Sequence, residues 1–561
     1  MPEPADLQVM LEAFVRHTRE EYRALEAPTT HPDAPQTILL PMPDGVKLRT
    51  EVLKPVGAGP FPTIIQRSCY PMMEQMLKVH ADEYARRGFA YVYQFCRGTG
   101  GSEGVWEPNV NDRADGKATL DWLDAQPWVE SIGWLGSSYT AFTGWVLADI
   151  VPGKVKTLYL THYGTDRFAS AYCRGLFRQD VLTAWAMENA GRPIAASYEA
   201  SAAYRPQIHV DTDVWHVGKL SWYRDWITHT NRSDAYWNTG FWKMLEEIPS
   251  KISVPVYLGE SWYDHHLGSA LHTWRRLSPE SRKHSTLRIG AWNHMFQPCL
   301  EGHAMEHLEN SDTKTAFTWF VRLLRNHELP QGKVLVYNTG ADRWEEKPAY
   351  PFAKDKTLTL YFTDGRLTSG MPPAGSAGYV YDPDDPVPSH GAEALLRSVQ
   401  HNGSLFQPPA GYRADVLSFV SEPMTEDTTI LGAITASLFV ASDAEDTAFT
   451  AKVMEALPDG RALSIRGGIT TLAYRNDPDD DRIAYTPGEV VQAQITLWDV
   501  MYTVKKDSRI RVDISSSDFP QYAAHTNQAG IWSLQAGVRK AAQTVHFGGR
   551  YPSAIHIPLD Q

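Results

Sequence analysis

The sequence predicts an α/β protein with a mainly parallel sheet covered by helices on both faces, a helical insertion within it, and an all-β domain at its C-terminal end. Three observations carry this prediction. Short, nearly continuous apolar runs alternate with helical segments from about residue 36. A polar helical stretch dense in tryptophan interrupts them between about 165 and 250, and after about 331 alternating apolar and polar residues replace the helical pattern. At 561 residues the chain is also too long for a single core.

Residues 1–35 read as a helical extension, because Leu7, Met10, Leu11 and Phe14 recur at helical spacing; this helix is expected on the outside of the fold. Residues 36–164 hold the first part of the sheet domain, with strand-like runs at Thr63-Ile64-Ile65, Tyr91-Val92-Tyr93, Ile132 to Leu135 and Leu158-Tyr159-Leu160, and a helix from about Ala114 to Leu123. Residues 165–250 form the insertion, a cap rich in rings: Trp215, Trp222, Tyr223, Trp226, Tyr236, Trp237, Phe241 and Trp242. The sheet resumes over 251–330 with Val256-Tyr257-Leu258 and Leu287-Arg288-Ile289. Residues 331–561 contain alternating stretches such as Ile434 to Val440 and Arg509 to Ile514, separated by Asp-Gly, Pro and Gly turns, which predict a β-sandwich of jelly-roll type.

Composition excludes several classes of function. The chain is 43% hydrophobic and 21% charged, as in ordinary globular proteins. A net charge of -13 without a basic stripe argues against nucleic acid. The N-terminus lacks a basic region followed by an apolar one, and no apolar run reaches spanning length, so a cytoplasmic protein without a membrane partner is expected. Four separated cysteines, Cys69, Cys96, Cys173 and Cys299, suggest neither zinc nor a disulfide framework.

Chemistry enters at Gly136-Ser137-Ser138-Tyr139-Thr140. The apolar run Ile132 to Leu135 leads into this turn, and a helix-like stretch follows, which is the setting of a nucleophile elbow. A small residue two places before the nucleophile relieves crowding in the turn, so Gly136 selects Ser138 over Ser137. A serine hydroxyl is a weak nucleophile at neutral pH and needs an imidazole base held by an acid. Both are expected downstream at strand ends, in the order acid then histidine. Asp264 follows the strand Val256-Tyr257-Leu258, and His294 follows Leu287-Arg288-Ile289; Glu260 is a rival acid.

The segments Arg67-Ser68-Cys69-Tyr70, Arg97 to Gly104, Gln126-Pro127-Trp128, Gly136 to Tyr139, Trp262-Tyr263-Asp264 and Trp292-Asn293-His294 together resemble the cocaine esterase family. That family also includes α-amino acid ester hydrolases, glutaryl-cephalosporin acylases and Xaa-Pro dipeptidyl peptidases. The resemblance runs from about Gln36 to Pro520. It implies an α/β-hydrolase core, an inserted helical cap and a C-terminal jelly roll. It implies Ser138, Asp264 and His294 as the triad. It further implies an oxyanion hole built from the Tyr70 hydroxyl and the backbone N–H of Tyr139. The chain departs from the pattern in having Phe95 near a usual Asp and Ala141 at a usual Gly. Where α-amino acid ester hydrolases carry carboxylates after the catalytic Asp, His265-His266-Leu267 follow here, so specificity for α-amino esters is not implied.

The expected function is hydrolysis of a carboxylic ester through an acyl-enzyme, with amide cleavage by the same triad as the alternative. A noncatalytic carbohydrate-binding protein is the reading from another class, since jelly rolls occur in lectins. His265, His266, Trp237 and Trp262 are candidate substrate contacts, although the two histidines also read as loop hydrogen-bonders. The cap is expected to close over an uncharged, ring-containing substrate. Asp264, His265, His266 and His294 could hold a metal, but adjacent histidines lack helical spacing and the serine and tyrosine motifs would go unexplained. Neither metal nor cofactor is expected; the partner is a small-molecule ester or amide, and a homodimer is compatible with the sequence.

Overall fold

The computed structural model describes residues 4–191, 194–391, 393, 395–476 and 482–560. The N-terminal helix α1 (Pro4–Arg23) precedes a ten-stranded sheet. Its strands are β1 (Gln36–Pro41), β2 (Lys47–Leu53), β3 (Phe61–Ser68), β4 (Ala90–Phe95), β5 (Val129–Ser137), β6 (Val155–Thr161), β7 (Val256–Ser261), β8 (Thr286–Gly290), β9 (Lys333–Asn338) and β10 (Arg343–Lys347). They lie in the order β1-β2-β4-β3-β5-β6-β7-β8-β9-β10. All neighbours from β4 through β9 are parallel. The antiparallel β1-β2 pair and β10 finish the two edges.

The central strands are buried on both faces, which explains their continuous apolar runs: every residue of β4, Ala90 to Phe95, is buried. On one face α2 (Glu74–Ala85) and the helix Asp312–Phe320 pack Leu77, Tyr84 and Phe317 against Tyr91 and Tyr159. The N-terminal helix lies against these two helices, and its Tyr22 hydroxyl meets His80 Nδ1 at 2.8 Å. It therefore occupies the outside position its pattern predicts. On the other face α3 (Asp112–Asp124) and α4 (Tyr139–Trp145) contribute Leu120, Leu123, Phe142 and Trp145.

The cap leaves the sheet after β6 and returns at β7. It contains α5 (Arg167–Ala171), α6 (Gln179–Glu188), the helices Ser221–Thr228 and Gly240–Glu247, and a ribbon of Tyr172–Cys173 with Leu176–Phe177. Its rings pack on each other: Trp222 meets Trp226 edge to face with centroids 5.0 Å apart, and Trp226 lies tilted against Trp185 at 5.9 Å.

The first sheet continues past residue 330, since β9 and β10 lie beyond it. The boundary expected at 331 thus falls inside this sheet, because periodicity identifies a strand but not the sheet it joins. The C-terminal domain is all-β, a twelve-stranded system running from Lys356–Thr363 to Ala554–Leu559. Its longest strands, Thr428–Ser442 and Val491–Val504, pair antiparallel with a bulge near Ala433. This domain braces the first one: the buried Arg466 donates to the Trp262 carbonyl and, at 2.7 Å, to that of Asp499. Among the described residues no helix is long and apolar enough to cross a membrane.

Candidate active site

Sheet order brings the ends of β5, β6, β7 and β8 side by side, and each is followed by a residue of one cluster. Ser138 follows β5 with φ 57° and ψ -131°, a strained conformation in the left-handed range for φ that turns its side chain out of the strand. Its amide donates to the Thr161 carbonyl at 3.0 Å. A Cβ at Gly136 would overlap the Thr140 carbonyl, so the turn admits only glycine there. Thr140, at the position where the general elbow string has glycine, braces the turn with its hydroxyl, which accepts from Ser137 N at 2.7 Å and donates to Ser137 O at 2.7 Å.

His294 links the other two residues. Its Nε2 is 2.9 Å from Ser138 Oγ, and its Nδ1 is hydrogen-bonded to Asp264 Oδ2. The second Asp264 oxygen accepts the His266 amide at 2.7 Å. Asp264 is fully buried, which alone would raise its pKa, but the His294 imidazole hydrogen-bonded to it outweighs burial and holds the carboxyl well below the usual range. Glu260 behaves oppositely. Burial and then the Asp264 charge push it well up, its Oε2 accepts from Ser261 N at 3.0 Å, and its Oε1 has no partner. The rival acid therefore does not bond the imidazole; among the described residues the only hydrogen bond to its carboxyl is the one from Ser261 N.

An N–H on Nδ1 directed at an anionic Asp264 leaves Nε2 free to accept a proton from the serine hydroxyl. Tyr70 and Tyr139 lie alongside, their rings 6.5 Å apart. The Tyr70 oxygen accepts the Trp185 indole N–H at 3.0 Å, which leaves its own O–H for another acceptor. Burial pushes the phenol well up, so it stays protonated. The Tyr139 amide lies in the first turn of α4, where amides have no intrahelical acceptor. The Tyr139 hydroxyl is used elsewhere, donating to Asp112 Oδ2 at 2.7 Å.

His265 and His266 sit behind this cluster. The His265 ring is 4.5 Å from His294, and His266 Nδ1 is 2.8 Å from Ser170 Oγ. Burial keeps both neutral, holding their pKa values well below the usual one. They line the back of the Asp264–His294 pair. Trp262 is fully buried with its indole donating to Tyr337 O at 2.8 Å, so its ring serves packing. The Trp237 indole donates to the His229 carbonyl at 2.7 Å inside the cap, and Trp237 borders a small cavity together with Arg167.

The sequence reading missed His162 and Trp185. His162 follows β6 with φ 51°, its ring 5.3 Å from His294, and its Nε2 accepts the Trp292 indole N–H at 3.1 Å. Burial lowers its pKa to about 4. Its position at the end of the strand between β5 and β7 is the signal that could have found it. Ligand-type atoms of His162, Asp264 and His294 lie within 4.8 Å of one another, but both His294 nitrogens are engaged by Asp264 and Ser138.

Residues 44–296 match the X-Pro dipeptidyl-peptidase (S15 family), and residues 327–556 match the X-Pro dipeptidyl-peptidase C-terminal non-catalytic domain. The chain belongs to this family. It is a serine hydrolase of esters or amides. The noncatalytic carbohydrate-binding reading is thereby set aside. The family member cocaine esterase from Rhodococcus sp. (strain MB1 Bresler) is 27% identical over 570 residues, covering 93% of this chain and 98% of that enzyme. Two solved structures share the fold. An α-amino acid ester hydrolase superposes with a TM-score of 0.78 at 23% identity, covering 96% of this chain and 98% of the other. An aminopeptidase from a marine sediment archaeon, Thaumarchaeota archaeon, gives 0.78 at 22% identity, covering 94% and 96%.

Proposed function

We propose that this family member hydrolyses a carboxylic ester with Ser138 as nucleophile, His294 as base and Asp264 as the group that orients and charge-stabilises the imidazole. The 2.9 Å contact between His294 Nε2 and Ser138 Oγ, with Nδ1 tied to Asp264, carries this reading. Ser138 Oγ attacks the ester carbonyl carbon as its proton passes to Nε2. The carbonyl oxygen becomes an oxyanion, for which the Tyr70 O–H and Tyr139 N–H are the donors. Collapse breaks the carbon–oxygen bond to the alcohol, which leaves with the Nε2 proton, and an acyl-Ser138 ester remains. Water then gives a proton to Nε2, attacks the acyl carbon, and the carboxylic acid departs as Ser138 recovers its proton.

The name of the Rhodococcus relative supports an ester substrate, and the family description supports the second reading, amide cleavage by the same residues. Only leaving-group protonation and pocket shape separate the two. Kinetics on a matched ester and amide, together with mass spectrometry after fluorophosphonate treatment, test the proposal. Ester turnover, one adduct on Ser138 and loss of both in Ser138→Ala are expected. Turnover that persists in Ser138→Ala would overturn the assignment, and faster amide than ester cleavage would favour the second reading.

A further inference from the structure

Most buried arginines among the described residues have an obvious neighbour to offset them. Arg67 lies 3.6 Å from Asp112, Arg466 lies 3.8 Å from Glu393, and Arg511 and Arg87 pair with Asp513 and Glu83. Arg288 and Arg178 direct Nη groups to a carbonyl and hydroxyls. Arg167, the first residue of α5, is 8% exposed and among the described residues forms no ion pair. Its Nε, like those of Arg178 and Arg288, has no hydrogen-bond partner, and the polar group it meets is the uncharged Tyr163 phenol. A guanidinium withdrawn from water without an anion is strongly unfavourable, so a fold that keeps one in a working site points to an anion arriving with the ligand.

The nearest carboxylates are already committed. Asp166, its chain neighbour, caps α5 and pairs with Arg232 at 3.0 Å and His272 at 3.7 Å. Glu246, which borders the same small cavity as Arg167, pairs with Lys243 and His272 at 3.1 Å each.

The setting of Arg167 ties it to the reaction centre from two sides. Its guanidinium lies 4.6 Å over the Trp226 ring, Trp226 is 5.9 Å from Trp185, and Trp185 donates to the Tyr70 oxygen. On the other side is Tyr163, whose ring is 4.3 Å from His266. Burial raises the Tyr163 phenol while the Arg167 charge beside it pulls the other way; burial lowers His265 and His266, and the same charge adds to that effect. Rings of the cap therefore flank this cation.

We propose that Arg167 is a specificity-determining residue that pairs with a carboxylate of the substrate, so that the preferred esters carry a free carboxylate on their acyl or alcohol part. This rests on the hydrolase assignment of Ser138. Two pairs of substrates test it and separate the two sources of the carboxylate. One pair compares the monoaryl ester of a short dicarboxylic acid with a neutral aryl ester of equal length. The other compares O-acetyl hydroxybenzoate with its methyl ester.

For one pair, kcat/KM is expected to be at least about tenfold higher for the charged member, and Arg167→Gln is expected to shrink that ratio by about tenfold or more. Arg167→Lys should restore part of it. The pair that responds identifies the side that carries the charge. A ratio near one in both pairs, or one unchanged in Arg167→Gln, overturns the proposal. If the glutamine variant does not fold, inhibition of the native enzyme by the free dicarboxylate replaces it. Competition against the neutral ester is expected, and its absence at millimolar concentration overturns the proposal. Turnover of neutral esters without charge preference, with Ser138 labelled, removes the Arg167 assignment alone; absence of both labelling and turnover removes the hydrolase assignment beneath it.

Discussion

The indole N–H of Trp185 donates to the hydroxyl oxygen of Tyr70 at 3.0 Å, joining the cap to the tyrosine whose ring lies 6.5 Å from that of Tyr139. A donor on that oxygen fixes the direction of the Tyr70 O–H and strengthens it as a donor. Tyr70→Phe is expected to lower kcat by roughly 100- to 1,000-fold with little change in KM, the usual consequence of losing one oxyanion donor. Trp185→Phe should act through the same hydroxyl, with a loss of about 2- to 12-fold from one hydrogen bond. In the Tyr70→Phe background that further loss in kcat should vanish. Steady-state kinetics of the two single variants and the double variant check this. Additive losses would separate Trp185 from the hydroxyl.

The turn at Ser138 depends on the hydroxyl of Thr140, which bonds both the amide and the carbonyl of Ser137. Thr140→Val keeps the volume but leaves the Ser137 amide without its acceptor. A stability loss of about 1–3 kcal/mol is expected. Because the same bonds hold the strained φ of Ser138, kcat should fall as well. Denaturant titration and ester kinetics on the folded variant measure the two effects, and an unchanged kcat would show that the turn holds without this brace.

Ser138, Asp264 and His294 were legible in sequence because each follows a short apolar strand, and strand ends on one edge of a parallel sheet converge. Tyr70 was legible only through resemblance, since no spacing rule marks a tyrosine after β3. His162 was not legible: it is one of 20 histidines, and its closeness to His294 depends on β6 lying between β5 and β7. Trp262 misled because an aromatic count gives no direction. Its buried N–H could have been expected to seek a carbonyl, but that carbonyl, on Tyr337, is set by a tertiary contact. The strands just after 331 pose the same difficulty, since β9 reads the same whichever sheet receives it.

The brace from the C-terminal domain is also testable. Arg466 donates to the carbonyl of Trp262, two residues before Asp264, and to that of Asp499. Burial pushes the nearby Glu393 carboxyl up against the pull of Arg466. Arg466→Met removes two charge-assisted donors and leaves those carbonyls buried, so a loss of about 2–4 kcal/mol is expected. If the bond to Trp262 also steadies the Asp264 loop, kcat falls in the folded variant while fluorophosphonate still labels Ser138 slowly. A stability change below about 1 kcal/mol in a urea titration would deny Arg466 this role.

Acid should destabilise the fold through its buried histidines. Burial lowers His162, His80 and His303 to about 4 in the folded chain, against about 6.5 when unfolded. Between those values the unfolded chain binds protons that the folded chain refuses. Their contribution is therefore complete above pH 6.5 or so and is lost as pH falls toward 4. Each histidine contributes a slope of up to about 1.4 kcal/mol per pH unit in that window. Asp312, raised by burial to about 6, works in the opposite direction, since its folded form keeps a proton that the unfolded form releases. Burial lowers His265 and His266 as well and raises the Glu260 and Glu393 carboxyls, so the share of any one histidine is read as the change in slope between pH 4 and 6.5 when that histidine is replaced. His162→Gln should reduce that slope by about one histidine's share, read from urea titrations across the window. An unaltered slope would show that His162 takes up its proton in the folded protein after all.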